Sequence, residues 1–130
     1  ERDNPERRNL LKPLFDKYGV DIVLQGHDHS YARGSASFYE KNILSGTNVQ
    51  DATGTVYVVS VSGSKQYEAK PSWDQYDAVR DKAGEDKQLF QVISIDGNTL
   101  SYKSYTAVGD LFDSFDLIKN ENGINSLKNN

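Results

Sequence analysis

Near the amino end, Leu10, Leu11, Leu14, Phe15 and Tyr18 recur at helical spacing, while Glu6, Arg7, Lys12, Asp16 and Lys17 fall mostly elsewhere. Asn4-Pro5-Glu6 supplies the start: Asn caps well, Pro suits the first helical position, and an acid there complements the helix dipole. Gly19 is a natural terminator. Pro13 is the one conflict, since an interior proline removes a hydrogen bond at a cost of about 3 kcal/mol. The pattern predicts a kinked helix or two shorter pieces.

Beyond Gly19 the helical period disappears. Val20 to Gln25 is a short apolar run that predicts a strand buried on both faces, as parallel strands are. Thr55 to Val61 is a second, β-branched run of the same kind, and the stretch 34–54 between them has the Gly, Ser, Asn and Thr texture of a long loop. Residues 63–87 carry Tyr67, Trp73, Tyr76 and many charges, with room for a short helix over Asp74 to Lys82. Leu89 to Ile95, then Asp96-Gly97-Asn98, then Thr99 to Tyr105 predict a β-hairpin. A last strand is expected over Phe115 to Lys119, followed by a polar, frayed tail over 120–130. Helix, buried strands and hairpin together give an α/β class.

Composition narrows the partners. The chain has 130 residues, enough for one domain with a core, and a net charge of −4 with scattered basic residues, which argues against a nucleic-acid footprint. No apolar run reaches the ~20 residues needed to span a bilayer. Without cysteine there is no disulfide and no thiolate-bound zinc. The chain also lacks Met and opens on Glu1-Arg2-Asp3, which points to a segment of a longer polypeptide.

The chemistry concentrates at Gly26-His27-Asp28-His29. These are the only two histidines, and they follow directly on the run Ile22-Val23-Leu24. Residues i and i+2 of an extended chain share a side, so both imidazoles can face one site at the carboxyl end of a strand, where open α/β sheets bind ligands. Neutral imidazole binds zinc, iron, copper or nickel. The spacing leaves open whether both rings bind one ion or each binds its own ion of a pair.

The run Tyr18-Gly19-Val20-Asp21-Ile22-Val23-Leu24-Gln25-Gly26-His27-Asp28-His29-Ser30-Tyr31-Ala32-Arg33 resembles the last motif block of calcineurin-like metallophosphoesterases, closest to the purple acid phosphatase branch. Gly54 to Ser60 and Phe115 to Lys119 are similar to later parts of that branch. The resemblance implies that residues 1–119 are the C-terminal portion of a metallophosphoesterase catalytic domain, an α/β sandwich. It implies two metal ions (Fe, Zn or Mn), with His27 on one and His29 on the other, and a phosphate-ester substrate. It also implies an N-terminal remainder of the domain as partner. Tyr31 matches an aromatic used for packing, Arg33 is positioned to orient an acidic neighbour or to sit on the surface, and Ala32 replaces the usual Glu. With only two histidines, the Asp-x-His and Gly-Asn-His members of the family's ligand series have no counterpart. The segment alone is therefore expected to be inactive, and its alternative role is a non-catalytic folded fragment or assembly module. By that family's habit, the resemblance leans towards secretion or periplasmic residence.

Three other features carry less. Asp110, Asp113 and Asp116 recur every three residues but lack the calcium-loop pattern, which predicts a solvated acidic face. Tyr67, Trp73 and Tyr76 fit packing better than a substrate pocket. Ser60, Ser62 and Ser64 have no nucleophile elbow and no spare histidine as base.

Overall fold

A computed structural model describes residues 4–36, 49–67, 78–84 and 87–130. Its elements are α1 (Pro5–Tyr18), β1 (Ile22–Gln25), β2 (Tyr31–Ala36), β3 (Val49–Thr53), β4 (Val56–Val59), β5 (Ala78–Gly84), β6 (Leu89–Asp96), β7 (Thr99–Thr106), β8 (Leu111–Lys119) and β9 (Asn125–Asn129). The class is α/β, with one mixed sheet in the order β1-β4-β2-β5 and one antiparallel sheet in the order β3-β9-β8-β7-β6.

The helix forms as its caps dictate. Asn4 Oδ1 accepts from the Arg7 amide at 3.1 Å, and Gly19 takes a left-handed conformation, φ 61°, that returns the Val20 amide to the Phe15 carbonyl. The helix runs through Pro13 unbroken. Both Pro13 and Asn9, whose carbonyl loses its partner to the ring, lie on the exposed side, where water can substitute. Phe15 meets Tyr57 of β4 at 6.3 Å between ring centres.

Val56 and Val58, flanking Tyr57, point the other way and pack with Tyr31 against Leu89, Tyr102, Phe115, Leu117 and Leu127. This cluster joins the two sheets face to face, so the layers run helix, four-stranded sheet, five-stranded sheet. β1 pairs in parallel with β4 (Ile22 opposite Val56, Gln25 opposite Val59), and β2 returns antiparallel on the far side of β4. The carboxyl ends of β1 and β4 and the start of β2 therefore share one end of the sheet. The hairpin β6–β7 closes through Gly97 at φ 54° with eight unbroken pairs, as its turn residues predict.

Several expectations are corrected. β1 is an edge strand, and Leu24 is 59% exposed rather than buried on both faces. The supposed loop 34–54 is entered by β2 and left by β3; its middle, 37–48, lies outside the described residues. Residues 78–82, expected to be helical, belong to β5, and 74–77 lie outside the described residues. The last strand predicted, Phe115 to Lys119, begins earlier, at Leu111. The polar tail is not frayed: Asn120-Glu121-Asn122-Gly123 turns the chain back, with Asn120 Oδ1 accepting from the Asn122 and Ile124 amides. Asn125–Asn129 then pairs along β8 and buries Leu127. Alternation of two positions, not overall polarity, decides its fate.

The acidic face is also absent as such. Asp113 is buried and binds Arg33 of β2 through two contacts, Nε to Oδ2 at 2.8 Å and Nη2 to Oδ1 at 3.1 Å. Tyr31 donates its hydroxyl to the same carboxylate at 2.5 Å, and Asn129 accepts from Arg33 Nη2 at 2.8 Å. Asp116 instead accepts from Ser101 and Asn130, bonds that hold its carboxyl below the usual range.

Two predictions test this packing. Arg33→Ala leaves a buried carboxylate unpaired and should lower unfolding free energy by about 3–5 kcal/mol in denaturant titration. Leu127→Ala should cost about 2–5 kcal/mol in the same assay; a negligible cost would return residues 125–129 to a frayed tail. Alkaline titration supplies a third. Burial pushes the hydroxyls of Tyr31, Tyr57 and Tyr102 up from the ordinary value, and for Tyr31 the Asp113 charge adds to it. A folded-state pKa above the unfolded one gives stability that is present below about pH 10 and is lost as pH rises beyond it. Tyrosinate absorbance at 295 nm should therefore show the Tyr31 ring ionising only with unfolding, and the Tyr57 and Tyr102 rings ionising at higher pH than the exposed tyrosines.

Candidate metal centre

β1 ends at Gln25, and the chain passes through a bend over 26–30 before β2 begins at Tyr31. His27 and His29 thus sit just past the strand's carboxyl end rather than within a strand. His27 adopts φ 79°, the one positive value outside glycine among the described residues. Such a conformation costs a β-carbon-bearing residue energy and is held only where the surroundings fix it. The His27 side chain is 66% exposed and faces Asp28, with Nδ1 to Oδ1 at 3.5 Å.

His29 is held from three directions. Its Nδ1 lies 2.9 Å from the Lys65 carbonyl oxygen. Its own carbonyl accepts from the Tyr67 amide at 2.7 Å. The Tyr67 ring meets the imidazole edge-on at 5.0 Å, and Lys65 Nζ lies 5.1 Å from the centre of that same ring. Because β1 and β4 are parallel, the segment 61–67 that follows β4 emerges at the same sheet end as the histidines. That topology brings Lys65 to His29 across 36 positions of sequence.

The chemical consequence concerns tautomer. A carbonyl can only accept, so Nδ1 is the protonated nitrogen and Nε2 of the neutral ring keeps its lone pair. An imidazole with one nitrogen donating to a carbonyl and the other free to donate electrons is the arrangement that metal-binding histidines use. The residues therefore fit an ion at His29 Nε2, with His27 beside it in sequence and near the same sheet end.

Other candidates separate from this pair. Among the described residues no three His, Cys, Asp or Glu side chains gather into a metal-holding group. Gly109-Asp110-Leu111-Phe112-Asp113 has the Gly-Asp-x-x-Asp form of a phosphoesterase ligand string, yet Asp113 is committed to Arg33 and Tyr31. Ser60 Oγ accepts from the Gln91 side-chain Nε2, as a structural hydroxyl does. Tyr31 packs in the core, and Arg33 takes the buried, acid-orienting role rather than the surface one. Trp73 and Tyr76 lie outside the described residues, whereas Tyr67 braces His29. Nothing in the spacing of Tyr67 or Lys65 could have revealed that contact, since it is made partly by main-chain atoms.

Comparison with protein-family models, with curated proteins and with solved structures gave no match.

The tautomer is directly measurable. Long-range ¹⁵N–¹H spectra of the neutral His29 ring should show the proton on Nδ1 and an unprotonated Nε2. A proton on Nε2 would remove the lone pair on which metal binding depends.

Proposed function

We propose that this chain is the C-terminal part of a metal-dependent phosphoric ester hydrolase, to which it supplies His27 and His29 as ligands, one to each of two ions. The observation that carries the reading is the fixed His29 ring, with Nδ1 bonded to the Lys65 carbonyl and Nε2 left to bind. The resemblance of residues 18–33 to a phosphoesterase ligand block supports it independently of that geometry. Imidazole donors suit zinc, iron or manganese partnered by oxygen ligands. When bound, such an ion pair acidifies water and neutralises charge on the phosphoryl oxygens.

The chain's own residues act as positioning groups. Lys65 and Tyr67 set the His29 ring, and the Arg33–Asp113 pair anchors the strand that begins two residues after it. The remaining ligands belong, on this reading, to an N-terminal remainder of the domain. Exposed apolar surface favours that partner. Ile93 and Ile95 alternate with Leu89, which is buried, and stand opposite Tyr102 and Leu100 on the inward face of their sheet. Yet they are 36% and 73% exposed. On α1, Leu10, Leu11, Leu14 and Tyr18 are exposed as well. No helix among the described residues is long and apolar enough to cross a membrane.

A second reading applies to the chain alone: a folded module with no turnover. The lack of a third ligand beside the two imidazoles, among the described residues, favours it. Both readings meet in one experiment. The isolated 130 residues should hydrolyse an activated aryl phosphate negligibly, whereas the intact protein should hydrolyse it and lose activity to a chelator. His27→Ala or His29→Ala in the intact protein should cost more than about 100-fold in kcat/KM, beyond the 10–100-fold typical of residues that only support a ligand. An intact enzyme indifferent to both substitutions would overturn the hydrolase reading.

A further inference from the structure

Among the described residues β6 ends its sheet on one side, with β7 as its strand partner. Two bonds at its start show which main-chain groups face outward. The Gln88 carbonyl accepts from the Ala107 amide just past β7, while the Leu89 amide donates away from β7 to the Val61 carbonyl. Main-chain groups alternate along an antiparallel strand. Those of Phe90, Val92 and Ser94 therefore turn to β7, and those of Gln91, Ile93 and Ile95 turn outward. Val61 takes the edge at Leu89, and the hairpin turns at Gly97. The open edge is the stretch 91–95, centred on Ile93.

Edge strands are commonly guarded by lysine, proline or a bulge. This one has no such guard: Leu89 to Ile95 carries no charge and no proline, and its pairing with β7 runs without a register shift. Both faces are apolar and accessible, with Phe90 and Val92 on one and Ile93 and Ile95 on the other. Such an edge is a template for a further strand. The charge pattern favours a copy of itself. Two identical strands set like beside like, and an uncharged stretch meets its own copy without repulsion.

We infer that β6 is a dimer edge, pairing antiparallel with β6 of a second copy about a two-fold axis at Ile93. The free groups single out that register. Ile93 stands opposite Ile93 of the second copy, and Gln91 opposite Ile95, so every outward amide meets an outward carbonyl. Moving the axis to Val92 sets Ile95 opposite Leu89, whose amide Val61 already holds. Moving it to Ser94 sets Gln91 opposite Gly97, in the turn. The contact is isologous and closes with two copies. Ile93 and Ile95 of both copies then meet on the inner face, the side given above to the N-terminal remainder. The edge lies at right angles to that face, so the two contacts do not compete. The dimer does not depend on the hydrolase reading.

Sedimentation velocity and residue-resolved hydrogen exchange on the intact protein test this, and neither needs turnover. Wild type should sediment as a dimer, with the Ile93 and Ile95 amides slow to exchange in the dimer and fast after dilution to monomer. The Val92 and Ser94 amides, bonded to β7, should not respond to dilution. Ile93→Pro deletes an outward amide that β7 does not use, a position where an edge strand accepts proline. By symmetry it removes that donor from both copies, and should raise the dimer dissociation constant more than about tenfold. A monomer at every concentration would overturn the inference: fast Ile93 and Ile95 amides would mean a bare edge, slow ones an edge filled from within the same chain. A dimer in which those amides stay fast would also overturn it, by placing the contact elsewhere. So would a folded Ile93→Pro protein that dimerises as tightly as wild type.

Discussion

The ion pair between Arg33 and Asp113 spans 80 positions of sequence and ties the inner face of one sheet to the inner face of the other. Removing both groups from water is costly, and their attraction repays it only when the geometry is good and every remaining hydrogen-bonding atom is engaged. Here two guanidinium contacts, the Tyr31 hydroxyl and Asn129 together approach that condition, with the Phe115 ring 4.6 Å from the Arg33 guanidinium carbon. A slip of one residue in β2 would turn Arg33 out of the core and leave Asp113 alone in it. The pair therefore selects a register. Because β2 starts two residues beyond His29, that register also fixes where the histidine segment leaves the sheet.

From this anchor the functional end follows by topology. Parallel pairing of β1 with β4 sends their following segments to one side, and antiparallel pairing of β2 starts it from that side. The Val61 link to Leu89 then draws the start of β6 and the β7–β8 turn to the same place. Four stretches distant in sequence converge without a dedicated scaffold: the histidine bend, the 61–67 segment, residues 87–88 and the turn after Thr106. Two hydrogen bonds between the first pair, one from His29 Nδ1 to the Lys65 carbonyl and one from the Tyr67 amide to the His29 carbonyl, convert that convergence into a fixed ring with one tautomer.

What the sequence disclosed was local. Asn4-Pro5 and Gly19 mark the helix ends, and Asp96-Gly97-Asn98 marks the hairpin, because caps and turns depend on the residues that form them. The buried network was illegible for the opposite reason. Asp110, Asp113 and Asp116 differ in no way that spacing can show; a register shift at Ser104/Tyr105 in the β7–β8 pairing helps decide which of them faces inward. β9 was hidden by its polarity, although Asn125, Leu127 and Asn129 alternate as a strand does. The helix expected near 78–82 failed since charge density there says nothing about a sheet edge waiting for a partner. His27 and His29 stood out in the sequence, but the backbone turn at His27 and the brace on His29 come from tertiary contacts.

The decisive measurement is anomalous diffraction at metal absorption edges from crystals of the intact protein. The account predicts two scattering peaks at the carboxyl end of β1, one within bonding distance of His29 Nε2 and the other bonded to His27. Rings directed away from every peak, or the Lys65 carbonyl released from His29 Nδ1, would contradict it.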